Sequence, residues 1–187
     1  MFEISHATLG DSKEAVGLLR EAMGEIAMTL TQESDEGRIL SILEEYFKNP
    51  YTRIGYPRVW LYREKDEILG AINLYLGDEA KRLDEAILES IRNRGKCLET
   101  LEVECEEGDL YIDSIAVSPK ARGRGIAKKL IEHAYGEARR LGASQLSLVV
   151  DCDKIEVKEY YARLGFVTEG EKWLGGHLYY RMKKPLV

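Results

Sequence analysis

The chain predicts an α/β fold, a central mixed and twisted sheet flanked by helices, and three observations carry that expectation. Short β-rich runs alternate with stretches of helical spacing along the whole length, as in a sheet covered by helices. Residues 145–150, Gln-Leu-Ser-Leu-Val-Val, are nearly all apolar, as a central strand with parallel pairing requires. The apolar run 110–117 passes through a polar turn directly into an amphipathic helix, a strand–turn–helix unit.

Residues 2–7 read as a first strand. Asp11 reads as an N-cap with Glu14 three residues on, and apolar positions from Ala15 through Met23 to Leu30 recur at helical spacing, predicting one long helix. A second helix is expected over 35–47, with Ile39, Leu43, Tyr46 and Phe47 on one side. Pro50 and Pro57 bracket a loop. Residues 58–63 and 68–76 form a hairpin signal around a polar turn. Residues 79–93 again have helical spacing, and 97–107 are acidic. We read 77–108 as a helical insertion before the pivotal strand 110–117, too short for its own core, so that 1–187 form one domain. A helix over 125–141 stops at Gly142. The strand 145–150, a helix over 154–164, and two antiparallel strands around Gly175-Gly176 complete the chain.

Bulk properties narrow the function. A net charge of −6 argues against a general nucleic-acid binder, which carries a basic face. No apolar run approaches the ~20 residues of a membrane span, and the N-terminus lacks the charged and apolar regions of a signal peptide. Three scattered cysteines, Cys97, Cys105 and Cys152, fit a reducing cytoplasm rather than a disulfide framework. No metal-ligand spacing is present.

The chemistry concentrates in two places. In the first, the turn after residue 117 presents Arg122, Gly123, Arg124 and Gly125, and a helix starts at once with Ile126, Ala127 and Lys128. Unpaired backbone N–H groups at a helix start, the helix dipole, close approach over glycine and two arginines make a phosphate cradle. A dinucleotide fingerprint is the rival, with Asp151 placed like a ribose-binding carboxylate. It fails because Lys128 occupies the third glycine position and only one such unit is visible. No phosphate-loop G-x-x-x-x-G-K-[ST] occurs. The second place is Tyr160-Tyr161-Ala162-Arg163-Leu164-Gly165-Phe166.

Arg122, Gly125 and Ala127 resemble the Arg/Gln-x-x-Gly-x-Gly/Ala motif of the GNAT superfamily of N-acetyltransferases, and Tyr161-x-x-Leu164-Gly165-Phe166 looks like that family's Tyr-x-x-Leu-Gly-Phe signature. The resemblance covers roughly residues 108–170. It implies the GNAT fold and direct transfer of an acetyl group from acetyl-CoA to a primary amine of a small molecule, peptide or protein, without a metal. It implies that the pyrophosphate lies on residues 122–128 and the pantetheine arm in a slot where strands splay near Ala116 and Val150. It implies that backbone N–H groups of Ile115, Ala116 and Val117, freed by a local bulge, polarise the thioester carbonyl. Tyr161 takes the place of the general acid that meets the leaving thiolate; Tyr160 is its neighbour, and a packing role for either ring stands beside it. The carboxylate that some relatives carry before the tyrosine helix is replaced by Val149, leaving Asp113 and Glu107 as base candidates, with a structural role for Asp113 equally open. An asparagine usual seven residues before the tyrosine is replaced by Lys154, which can meet a phosphate instead. The acceptor site would be shaped by the first two helices, the insertion and the turn at 175–177. A non-catalytic acyl-CoA sensor or regulatory domain of the same fold is the alternative; the missing glutamate favours it and Tyr161 opposes it. A homodimer stays open.

Overall fold

Strands from both ends of the chain and its middle join one seven-stranded sheet. The computed structural model describes residues 1–186. The strands are β1 (Phe2–His6), β2 (Val59–Glu64), β3 (Glu67–Leu76), β4 (Asp109–Val117), β5 (Gln145–Asp151), β6 (Val167–Leu174) and β7 (His177–Pro185). Their spatial order is β1-β2-β3-β4-β5-β7-β6, and every neighbouring pair is antiparallel except β4–β5. The mixed sheet expected from the sequence is thus present, with one parallel pair at its centre.

Helices cover both faces. On one lie α1 (Ser12–Met23), α2 (Ile26–Thr31), α3 (Glu36–Lys48) and α4 (Ala80–Asn93); Leu19, Leu30, Leu43, Phe47 and Ile87 share one core cluster there. On the other lie α5 (Ile126–Leu141) and α6 (Ile155–Arg163), where Leu130, Ile131, Leu146, Leu148 and Phe166 form a second cluster. Both helix-face patterns match the apolar stripes in the sequence.

The single first helix predicted by spacing is two. Gly24 adopts φ 53° and ψ −129°, a conformation that side chains with a Cβ do not tolerate, and the chain turns there between α1 and α2. The apolar period survives the break because α2 packs on the same core, so spacing alone conceals it. Asp11 also acts differently from the expected cap. Its carboxylate makes no cap bond to α1; it accepts from the Thr8 N–H at 2.7 Å and pairs with Arg63, also at 2.7 Å.

Two irregularities shape the middle of the sheet. The β3–β4 register shifts between Asn73 and Leu74, which face Ser114 and Ile112, so Asp113 is an extra residue on β4. Such a bulge puts successive residues on one side and re-aims the strand beyond it. It lies two residues before the stretch 115–117, where the resemblance placed it. The β4–β5 pairing covers only Asp109–Tyr111 against Gln145–Ser147, and the strands then part. The opening therefore begins nearer the strand starts than the expected Ala116 and Val150.

Between β3 and β4 the chain leaves the sheet at Gly77, forms α4, and returns through an irregular strap at 94–108. The strap is tied down: the Lys172 ammonium donates to the Val103 carbonyl, and the Gly175 N–H donates to Glu102. Gly77 sits where the two ends of the excursion cross. A Cβ there would lie 1.8 Å from the backbone oxygen of Glu106. Gly77→Ala is therefore expected to cost about 1–3 kcal/mol of stability, as overpacking does, and to loosen the strap first. Chemical denaturation and hydrogen exchange over 96–107 check this; wild-type values for both would refute it.

Candidate active site

A slot opens where β4 and β5 diverge, and three elements close around it. Its middle, a cavity of about 480 Å³, runs between Ile112–Ile115 on β4 and Leu148–Asp151 on β5. The α1–α2 junction at 22–26, α6 through Val157 and Tyr161, and His177 and Tyr179 of β7 form its remaining walls, with Glu104 reaching in from the strap. A second cavity of about 300 Å³ adjoins it, lined by Glu21, Ile115, Ala116, Val117, Arg122, Ala127 and Tyr161. Tyr161, Ile115 and Ala22 line both, so Tyr161 stands where the two meet.

The second cavity leads to the polar turn. Gly123 and Gly125 have φ of 77° and 75°, and Gly125 is the residue before α5. A Cβ on either would meet no atom within 4 Å, so the space above the turn is open. The helix start thus presents unpaired N–H groups to an uncrowded surface, which suits a phosphate. The basic side chains are less available than the sequence suggests. Arg124 makes two bonds to Glu64, at 2.7 and 2.6 Å, and Arg122 reaches Glu21 at 3.1 Å. Lys128 stands 3.8 Å from Glu132. An anion at the turn would rely first on the backbone and would draw Arg122 away from an exposed partner at little cost.

Along the slot, β4 keeps its partner β3 through Val117 on one edge, while its other edge has no strand after Tyr111. The stretch around Ile115, Ala116 and Val117 therefore offers backbone groups to whatever occupies the slot. Tyr161 is 8% exposed, its ring edge-on to Tyr160 and Phe166 at 5.7 and 5.6 Å. Burial raises its pKa, and the Tyr160 phenol adds to the rise, so the group stays a proton donor through the alkaline range. Tyr160, half-buried, lines neither cavity.

The two base candidates separate. Asp113 is on the cavity wall, but its oxygens are engaged. One accepts from Arg53 Nε at 2.9 Å and from Nη2, and the other accepts from Asn73 Nδ2 at 3.1 Å. Burial drives its pKa up and the Arg53 charge opposes this. Glu107 is exposed in the turn before β4, beyond the roughly 20 Å of strand that separate Asp109 from Ile115, and lines neither cavity. Lys154 lines the slot beside Asp151 and Asp153 and not the cavity at the turn, so the structure does not place it with the phosphate cradle.

Sequence reading missed the centre of the acidic wall. Arg53 is 2% exposed and binds three carboxylates: Asp113, Glu104 at 2.5 Å and Asp84 at 3.4 Å. Tyr111 donates its hydroxyl to Glu104 at 2.6 Å. The bulge at Asp113 and the buried Asn73, which also donates to the Arg53 carbonyl at 3.1 Å, lock this cluster against the sheet. One signal was visible: Asn73 interrupts the apolar run of β3, and a polar residue in such a run is the informative one. Cys105 is buried beside the cluster with its thiol pushed up to about 12, mainly by burial, which keeps it in the protonated form. No group of three or more His, Cys, Asp or Glu among the described residues is arranged to hold a metal, and no helix among them is long and apolar enough to cross a membrane.

Comparison with known proteins shows the family and the fold. The model of the Acetyltransferase (GNAT) family matches residues 26–166. A curated relative, the 5-NmdU N-acetyltransferase of Pseudomonas phage PaMx11, is 40% identical over 74 residues, 40% of this chain; the match spans about half (49%) of that protein's length. A solved structure described as an acetyltransferase is 28% identical, with a TM-score of 0.82 over 99% of this chain and 100% of that one. An N-acetyltransferase from Staphylococcus aureus Mu50 shares the fold at 22% identity, with a TM-score of 0.80 over 97% of this chain and 99% of that one.

Proposed function

The chain belongs to the GNAT family of acetyltransferases, and within it we propose an N-acetyltransferase that moves an acetyl group from acetyl-CoA to a primary amine. The observation that carries this reading is the position of Tyr161, at the meeting point of the cavity from the phosphate turn and the cavity with the acidic wall. The co-substrate supplies an acetyl thioester. Backbone N–H groups of residues 123–128 hold its pyrophosphate, and the unpaired edge of β4 holds the arm and polarises the carbonyl through residues 115–117. Val149 and Leu148 keep the opposite wall apolar.

The acceptor nitrogen enters from the other cavity as a neutral amine. Its lone pair forms the new N–C bond and the C–S bond breaks. The sulfur takes the Tyr161 proton, or a strong hydrogen bond from it, and the proton shed by nitrogen passes to water. Burial holds the Tyr161 phenol above its ordinary value and so well above a thiol near 8.5, and the hydroxyl therefore meets the developing thiolate chiefly as a hydrogen-bond donor. Asp113, tied to Arg53 and Asn73, serves the field of the site rather than taking the proton itself. Segment 77–108 is an insertion in the family plan that completes the acceptor side. The amine-transfer reading outweighs the sensor alternative because a buried tyrosine at the junction has no task in mere binding.

Binding of coenzyme A tests the cradle. Gly125→Val forces a branched side chain into φ 75° and fills the open space over the turn, at a cost of about 1–3 kcal/mol in strain alone. Calorimetry is expected to show coenzyme A affinity reduced by about tenfold or more, with the fold intact by circular dichroism. Unchanged affinity in a folded variant would remove the pyrophosphate from this turn.

A further inference from the structure

Beyond Glu104 the slot continues into a narrower chamber of about 100 Å³. Its walls are aliphatic: Ile26 and Leu30 from α2, Leu101 from the strap, and Leu174 from β6. Glu25, Glu102 and Glu104 edge it, and Glu25 and Glu104 also line the main cavity, which joins the two spaces. Among the described residues the only guanidinium lining the chamber is that of Arg53, already shared among three carboxylates. His177 lies against Glu25 at 3.1 Å on the outer rim, both side chains more than half exposed. Aliphatic walls under a surplus of negative charge are the complement of a methylene chain ending in an ammonium.

A second observation points to a ligand in the main cavity that the chamber adjoins. Ser114 lines the main cavity beside Asp113 and is 6% exposed, yet its hydroxyl has no hydrogen-bond partner among the described residues. A buried hydroxyl left unpaired costs free energy, and an N–H group of a bound molecule would recover it. A neutral or anionic acceptor would leave the carboxylate surplus uncompensated.

Resting on the acetyl-transfer reading, we propose that this chamber is a subsite for the distal ammonium of an aliphatic diamine, whose other amine, neutral, receives the acetyl group. The reacting nitrogen must shed its charge before it attacks, so it cannot be what the carboxylates hold. The distal amine keeps its proton at neutral pH, since alkylamines ionise near 10.4. Its methylene chain lies along Ile26, Leu30 and Leu101, and Glu102 and Glu104 accept from its ammonium. Glu102 accepts from the Gly175 N–H and Glu104 from Arg53 and Tyr111, and each carboxylate retains further acceptor capacity. Two of these groups, Leu101 and Glu102, come from the strap, so the excursion between β3 and β4 sets the acceptor's length and charge.

The test compares putrescine with butylamine, equal in carbon count and differing in one charge, using the full chain and acetyl-CoA at one mildly alkaline pH with thiol release as readout. Wild-type kcat/KM is expected to favour putrescine by about tenfold or more, the worth of a charged hydrogen bond, chiefly through KM, and the preference should shrink with salt. In a Glu25→Gln/Glu102→Gln double variant, both positions being exposed enough to spare the fold, the ratio should fall toward one. Equal kcat/KM for the two amines in wild type, or a ratio untouched in the double variant, would overturn the subsite while leaving acetyl transfer standing. Thiol release with neither these nor any other amine would overturn the transfer reading and the subsite together.

Discussion

Tyr161→Phe is expected to lower the turnover of acetyl transfer by about 10²–10⁴-fold, the usual worth of a positioned acid, with coenzyme A affinity nearly unchanged. The hydroxyl acts on charge that appears on sulfur only as the C–S bond breaks, so its loss falls on kcat rather than on binding. The ring that packs edge-on against Phe166 is retained, and thermal unfolding should match wild type. Burial holds the phenol pKa above its ordinary value, so the wild-type rate should not decline through loss of this proton anywhere below the ordinary tyrosine range. Tyr160→Phe is the control. Tyr160 is half-buried, lines neither cavity, and its variant should keep nearly full activity. Full activity in Tyr161→Phe, or the larger defect in Tyr160→Phe, would move the acid to another residue.

Arg53→Leu is expected to destabilise the protein by about 3–5 kcal/mol at neutral pH, the cost of leaving buried charge without its partner. Three carboxylates from α4, the strap and β4 converge on this one side chain, so its loss strains all three connections at once. Arg53→Lys should fall between, because an ammonium cannot reproduce the fork of bonds. Asp84 sets the sign of the pH effect. Burial, reinforced by the Glu104 and Asp113 charges and opposed by Arg53, pushes its carboxyl up to about 6. An unfolded chain releases that proton near 3.9. The folded form therefore holds the proton more tightly, and this stabilisation is full below the unfolded value and is lost as pH rises through about 6. Relative to Asp84→Asn, wild type should gain stability as pH falls from 7 to 5, and part of the Arg53→Leu loss should be recovered over the same range. Denaturant titrations at both pH values check this. A loss under 1 kcal/mol in Arg53→Leu, or parallel pH profiles for wild type and Asp84→Asn, would show that the cluster does not bear this load.

Much of the side on which we propose that the cofactor binds was legible in the sequence. The phosphate turn, its two glycines, the α5 stripe and the Tyr161 signature are contiguous in the chain, and each depends on local rules: turn conformation, helix start and apolar period. The acceptor side was expected only as a set of regions, of which the first helix, the excursion and the turn at 175–177 line the chamber beyond Glu104, while the second expected helix, now α3, lines neither it nor the main cavity. The residues themselves were not legible, because Arg53, Asn73, Glu104 and Asp113 are meaningless apart and become one cluster only when the sheet closes. Asp113 shows the difference well. A carboxylate on the pivotal strand reads equally as base or brace, and the Arg53 and Asn73 bonds on which our reading of a brace rests come from segments far away in the chain. The break at Gly24, the early parting of β4 from β5 and the isolation of Glu107 were likewise invisible. By itself the sequence determined most of the elements, the glycine turn at the start of α5 and the place of the tyrosine signature in the chain. Tertiary structure decided which charges meet, because long-range pairing of buried groups depends on register and packing between segments that local spacing does not encode.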